Sequence, residues 1–317
     1  MRARSGPVAG VLSFDEMVRR ARSVSVSAVA LYQSFPHPDI ESPVLVVCME
    51  GWVDAGLGAA TATATLLGTI PTEVAAVFDT NELIDQRARR PVMHVKDGIN
   101  TGLTWPQIEL RVGEDAAGKA VAVLVGPEPD LRWRTFINAV AELAGSLGVR
   151  LAVGLGAFPS PAPHTRPVRL ISTATSPDLA SLMGSIEGTL DVPAGIESAM
   201  ELGLAEAGIP AMGLWARVPH YVAGMPYPAA SAALLDSLAL VAGLQVDSTD
   251  LWGAAELTRQ KVDELIGQSD AHTAMVRQLE EQVDTTEGAS LGLGQIPSGD
   301  EIGDELERYL RGEQGPG

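Results

Sequence analysis

The sequence predicts an α/β fold with a mostly parallel central sheet, helices on both faces and a C-terminal helical appendage. Three observations carry this. Apolar runs of strand length recur along the chain without polar alternation, as expected of strands buried on both faces. Stretches of helical period, rich in Ala and Leu, lie between them. From about Ser248 the pattern changes to a charged amphipathic one.

The first strand, Val44 to Met49, stops at Glu50-Gly51, and Gly56 and Gly58 open an Ala/Leu-rich helix. Glu73 to Phe78 reads as the second strand. Val92 to Val95 and Gln107 to Val112 read as short strands of a hairpin-like excursion, joined through Gly98-Ile99-Asn100-Thr101-Gly102. Lys119 to Val125 is a buried strand, and Arg132 to Leu147 has helical period with Gly148 as its stop. Arg150 to Leu155 is the next buried strand. Residues 159–177, rich in proline, read as a lid-like loop. Ile196 to Ala207 is a helix closed by Gly208, Pro210 to Ala216 the last clear strand, and Ala229 to Leu244 a long apolar helix. Residues 248–283 read as a helical hairpin turning near Gly267 to Asp270, and Asp300 to Leu310 as a short acidic helix. The expected division is a flexible arm over 1–35, an α/β core over 36–247, a helical appendage over 248–285 and an acidic tail over 286–317.

The net charge is −18, from 40 acidic and 22 basic residues. Sixteen of the acids and only five of the bases follow residue 246. Such a surface repels phosphate backbones and anionic membranes, so neither nucleic acid nor a membrane is expected as a partner. No apolar run reaches the roughly 20 residues that a membrane helix needs. Cys48 is the only cysteine, which leaves no intramolecular disulfide and no cysteine-based metal site. A cytoplasmic location is expected. Arg19-Arg20 ahead of Ser23 to Leu31 loosely mimics a twin-arginine signal, but a third of the would-be apolar core is serine.

Glu50-Gly51-Trp52-Val53-Asp54-Ala55-Gly56 resembles the first signature of the proteasome assembly chaperone 2 family, in its actinobacterial-type branch. The loop His164-Thr165-Arg166-Pro167 and the strand end Val218-Pro219-His220-Tyr221 resemble two later motifs of that family, as does the C-terminal Pro297-Ser298-Gly299-Asp300-Glu301. The resemblance spans residues 40–285. It implies a sandwich of the phosphorylase/hydrolase type and a chaperone-like role, with proteasome subunits or another protein as partner. Folds of this type often form rings, so a homo-oligomer is expected, a homotrimer ahead of a dimer, braced by apolar helix surface on 229–244 and 250–283. Some related proteasome binders end in a hydrophobic-Tyr-any-residue tail. This sequence ends Gln314-Gly315-Pro316-Gly317, so docking by such a tail is not expected.

Four loops follow buried strands, at residues 50–56, 126–134, 156–167 and 218–228, and parallel strands gather such loops on one sheet edge. Their candidate ligand- or partner-binding residues are Glu50, Trp52, Asp54, Glu128, Arg132, Trp133, His164, Arg166, His220 and Tyr221. One reading is a pocket for an anionic small molecule or a peptide. The plainer one is that these groups pair with each other and hold the loops. His164 and His220 suit a general base and its partner, metal ligands, or structural hydrogen bonds; 56 residues apart and without a short-range ligand motif, they give a metal little support. Asp54 suits either the activation of a nucleophile or a helix cap. An enzyme acting on a nucleoside-like or carboxylate substrate, with Arg166 holding an anion, is the alternative to a binding protein.

No catalytic residue is assigned, and neither cofactor nor metal is expected. The Gly-x-Ser-x-Gly match at 288–292 lies in a linker rather than between strand and helix. Gly154-Leu155-Gly156 lacks the third glycine of a dinucleotide site. The turn at 50–58 lacks a Gly-Lys-Ser/Thr ending, and the only lysines are Lys96, Lys119 and Lys261.

Overall fold

The computed structural model describes residues 31–51, 53–184 and 188–288. Trp52 and most of the expected N-terminal arm lie outside these residues. So do the acidic helix, the Pro297 to Glu301 motif and all of the Gly-x-Ser-x-Gly match beyond Gly288.

The chain begins with β1 (Tyr32–Ser34), β2 (Val44–Glu50), helix α1 (Gly58–Thr69), β3 (Thr72–Phe78) and the one-turn α2 (Thr80–Leu83). β4 (Val92–Lys96), β5 (Ile99–Thr104), β6 (Glu109–Glu114), β7 (Ala120–Pro127) and α3 (Trp133–Ser146) follow. Then come β8 (Leu151–Ser160), β9 (Leu170–Ala174), α4 (Pro177–Ala180), α5 (Ile196–Glu206) and β10 (Ala211–Pro219). The helices α6 (Pro228–Ala242), α7 (Thr249–Gly267) and α8 (Asp270–Gly288) complete the described chain.

Eight strands form one sheet in the order β1-β3-β6-β7-β2-β8-β10-β9. The central four, β7, β2, β8 and β10, are parallel. The flanking pairings are antiparallel. Successive β2 residues explain the unbroken apolar run, because they serve two cores. Val44, Val46 and Cys48 pack with α1 and α6 on one face. Leu45, Val47 and Met49 pack with α3 and α5 on the other. Leu66, Leu155, Leu214 and Leu235 are at most 1% exposed, and each contributes about 2 kcal/mol of transfer free energy. Small residues set the spacing. A Cβ on Gly58 would lie 2.8 Å from that of Ala157, so α1 rides directly on β8. Gly56 turns with φ 65°, and a Cβ there would lie 2.6 Å from Tyr227 Cβ.

Three sequence expectations change. The hairpin partner of β4 is β5, and the stretch expected to connect them is itself mostly strand. Asp97 and Gly98 have φ of 51° and 79°, the two positive values that a two-residue hairpin turn requires and that Asp-Gly supplies. The strand expected to complete that hairpin, β6, joins the main sheet between β3 and β7. Within the expected lid-like loop, Leu170–Ala174 is an edge strand antiparallel to β10.

The helical hairpin falls where the sequence places it, turning at Gln268-Ser269. Its α7 packs on α6. Leu251, Ala255, Val262, Val276 and Leu279 are buried within the chain, whereas Leu257 and Leu265 stay exposed. Part of the helical surface expected to face another subunit is therefore used internally. The β4–β5 hairpin is the opposite case, since every one of its residues is exposed.

Candidate functional site

Because β7, β2, β8 and β10 run parallel, the loops after them share one edge of the sheet. The loop after β2 ties its neighbours together. Glu50 is exposed, and its carbonyl accepts the Glu128 N–H at 2.7 Å. Gly56 N–H donates to Ala223 O, and Tyr227 N–H to Gly56 O, each at 2.8 Å. Asp54 accepts from the N–H groups of Ala59 at 2.8 Å and Ala60 at 3.0 Å, which makes it the cap of α1. Burial raises its carboxyl above the ordinary value, against those same hydrogen bonds. Glu128 does similar work on the other face, where its Oε1 accepts the Ile196 N–H at the start of α5 at 3.2 Å.

Arg132 and Trp133 stand apart from the histidines. Arg132 pairs with Glu82 on α2, and the Trp133 indole N–H donates to the Pro129 carbonyl. The candidate residues thus divide into two groups. Glu50, Glu128, Arg132 and Trp133 belong to the β2 and β7 end. His164, Arg166, His220 and Tyr221 belong to the β8 and β10 end.

At the second group, Pro163 and Pro167 bracket the loop and fix its φ angles. Tyr221 sits in the short 3₁₀ turn His220–Val222 after β10. The His164 backbone N–H donates to Tyr221 Oη at 2.8 Å, and His164 Nδ1 lies 2.7 Å from the same oxygen. A carboxylate only accepts, so Nε2–H donates to Asp263 Oδ1 on α7 at 3.0 Å, and in the neutral imidazole the Tyr221 O–H then donates to Nδ1. Asp263 Oδ2 accepts from Arg259 at 2.8 Å. His220 is exposed and stacks edge-on against Tyr221, with ring centroids 5.3 Å apart.

From α8, Glu280 and Asp284 reach down at one-turn spacing. Asp284 accepts from one edge of the Arg166 guanidinium, Nε at 2.9 Å and Nη2 at 2.7 Å, and Glu280 accepts from Arg166 at 3.2 Å and from Thr165. The Arg166 guanidinium holds the Asp284 carboxyl below its ordinary value.

Magnitudes decide what holds this arrangement. Asp284 has a half-exposed side chain, so the ion pairs at Arg166 are largely screened by solvent. His164 is 1% exposed at its side chain, and leaving its polar atoms unmade would cost about 1–3 kcal/mol. The Tyr221–His164–Asp263 chain, centred on the buried His164, is therefore the main tie between loop and helical hairpin. It has no free nucleophile, because burial pushes the Tyr221 phenol well above its ordinary range and keeps it protonated. His164 and Arg166 are here engaged in pairing within the chain. Among the described residues no group of His, Cys, Asp and Glu is arranged to hold a metal ion.

Sequence reasoning missed the hairpin's half of this contact. Asp263, Glu280 and Asp284 lie among many acids on helices that read as solvated. It also missed Glu197 and Glu201 on α5, which face the sheet. Glu197 accepts the Met49 N–H at 2.8 Å, and burial raises its carboxyl well above the ordinary value. Glu201 accepts from Thr173 Oγ1 at 3.0 Å, and burial raises it to about 7. The one available signal was their i, i+4 spacing in register with Met200 and Leu204, which places them on an apolar face.

The sequence profile of the PAC2 family matches residues 48–266. Among solved structures, the Mycobacterium tuberculosis protein of unknown function Rv2714 is 36% identical, with 82% of this chain and 93% of that one covered and a TM-score of 0.77. The M. tuberculosis proteasome-assembly chaperone homologue Rv2125 is 33% identical over 74% of this chain and 99% of its own, with a TM-score of 0.69. A PAC2 family protein from Streptomyces avermitilis is 36% identical over 74% and 99%, with a TM-score of 0.66. Among curated proteins no significant match was found. With the profile covering most of the α/β sheet and relatives of this identity, the chain belongs to the PAC2 family.

Proposed function

We propose that this protein is a homo-oligomeric assembly factor that acts in the cytoplasm through protein–protein contacts, with proteasome components as its partners. The observation that carries this reading is the 33% identity to a proteasome-assembly chaperone homologue, with nearly all of that chain covered. Two features of the fold agree with it. Asp54, Glu128, His164 and Arg166 at the loop edge are engaged within the chain, as in a scaffold that presents a surface. The β4–β5 hairpin exposes Val92, Met93, Val95, Ile99 and Leu103, each at 42% or more. A two-stranded hairpin is marginally stable alone in water, and clustered exposed apolar residues mark a partner surface. The hairpin is the better candidate for contact between copies, in a closed ring for which a trimer is favoured.

The test is affinity capture of the full chain from its own cells, read by mass spectrometry, with light scattering on the purified protein. Recovery of proteasome subunits and a mass near three times 33.1 kDa are expected. Absence of every proteasome subunit would sink the assembly role. A monomer across a dilution series would sink the ring.

A further inference from the structure

The β4–β5 hairpin and the α7–α8 hairpin stand on opposite flanks of one edge of the molecule. β3 pairs antiparallel with β6, and β6 antiparallel with β7, so β3 runs with the parallel strands. The β4–β5 hairpin follows β3 and α2 and leads into β6. It therefore leaves the sheet at the loop edge. In the strand order, β3 and β6 lie on one side of β7 and β2, whereas β8 and β10 lie on the other. The α7–α8 hairpin is tied to the loop after β8 through Asp263, Glu280 and Asp284.

The two projections differ in sign. Residues 86–105 carry Arg87, Arg89, Arg90 and Lys96 against Asp97 alone, a net of +3 in a chain of −18. Arg87, Arg90 and Lys96 are exposed. Residues 249–288 carry nine acids against Arg259, Lys261 and Arg277, a net of −6. Both projections also show apolar side chains to solvent. Met93 and Val95 share a face of β4 by alternation, and Leu103 lies across from Met93. On α7, Leu257 and Leu265 share a face with Glu264, with Lys261 between them. Val95, Ile99, Leu257 and Leu265 are each more than half exposed. A two-fold contact sets a patch against its own copy. Here that would place cations on cations or acids on acids. Unlike patches attract.

We propose that the β4–β5 hairpin of one copy docks on the α7–α8 hairpin of the next. Met93, Val95 and Leu103 cover Leu257 and Leu265, and the hairpin's cations face the acids of the helical pair. Each copy offers one patch to each neighbour, from opposite flanks of the same edge, so the contact repeats head to tail and closes as a ring. This contact rests on the homo-oligomeric reading above and adds which surfaces meet.

Complementation between two defective full-length chains tests this. One carries Val95→Glu with Ile99→Glu, the other Leu257→Gln with Leu265→Gln. Each alone should run by light scattering as a monomer near 33.1 kDa, with unaltered helical circular dichroism, at concentrations where the unaltered chain is an oligomer. Their mixture should give a heterodimer of twice that mass, because one intact β-hairpin meets one intact helical pair and neither free end accepts a further copy. An oligomer that survives Leu257→Gln with Leu265→Gln, or a mixture that stays monomeric, would overturn this contact and leave the homo-oligomeric reading standing. A monomeric unaltered chain would overturn that reading itself, and the contact with it. Carbodiimide cross-linking of the unaltered chain, as an equal mixture of isotope-labelled and unlabelled copies, needs no variant to fold. It should join Lys96 to a carboxylate within 249–288 of the other copy. Links between copies that leave Lys96 unjoined to that segment would overturn the contact. So would a β4–β5 hairpin that gains protection from amide exchange only when purified proteasome subunits are added, which would assign it to that partner.

Discussion

Replacing Glu201 by Gln should stabilise the protein above neutral pH and leave it nearly unchanged near pH 5. Glu201 is 8% exposed and holds Thr173 Oγ1 against the sheet. A Cβ on Gly213 would lie 2.5 Å from its Oε1, so the glycine makes room for this carboxyl. Burial raises the group from 4.5 to about 7 in the folded state. Between those values the folded chain keeps a proton that the unfolded chain releases. Stability from this group is therefore intact at low pH and falls as pH rises through the window. The full loss is roughly 3 kcal/mol, from about 1.4 kcal/mol per unit over a shift of about 2.5 units. Gln has the shape of the protonated acid and does not ionise. Glu197, also raised by burial, adds a slope of the same sign in both proteins. Asp284 and Asp115 are lowered and contribute only at more acidic pH. Urea unfolding of both proteins between about pH 5 and about pH 8 reads the effect, with Trp215 as a local reporter through its 3.2 Å bond to Thr173. A difference between variant and parent that stays constant across that range would refute the reasoning.

Other substitutions test other joints of the structure. Tyr221→Phe removes the partner of both the His164 N–H and Nδ1, should cost about 1–3 kcal/mol in urea unfolding and should speed amide exchange in α7 and α8. Unchanged exchange there would show that the tie is not the main one. Asp54→Ala should lower stability by about 1 kcal/mol through the lost cap of α1, whereas Asp54→Asn should recover most of it. Gly156→Ala places a Cβ 2.3 Å from the Trp215 ring, so it should cost about 1–3 kcal/mol and shift the tryptophan emission. If the proposed oligomer forms through the exposed hairpin, the pair Val95→Glu and Ile99→Glu should leave a monomer near 33.1 kDa by light scattering without loss of helical circular dichroism.

How much of this was legible in the sequence depends on how local the cause is. β2, β7, β8 and β10 could be read because burial on both faces writes an unbroken apolar run. The helical hairpin could be read because its acids alternate with apolar positions at helical spacing. β5 was missed because Asp97-Gly98 was passed over as a turn in favour of the glycines flanking it, Gly98 and Gly102. β9 was missed because an edge strand such as Leu-Ile-Ser-Thr-Ala carries little apolar signal beside prolines. At the loop edge, the gathering of loops was legible, since parallel strands dictate it. The pairing was not legible. His164 and Asp263 are 99 residues apart, and only the fold of α7 back over the edge brings them together.

The assembly role is tested most directly by reconstitution. Purified proteasome subunits from the same organism would be mixed with and without the full chain, and the products followed over time by native mass spectrometry. The account predicts a transient complex containing this protein and unassembled subunits, together with faster appearance of the assembled particle. Subunits that assemble at the same rate in its presence, while the protein runs only as its own oligomer, would contradict it.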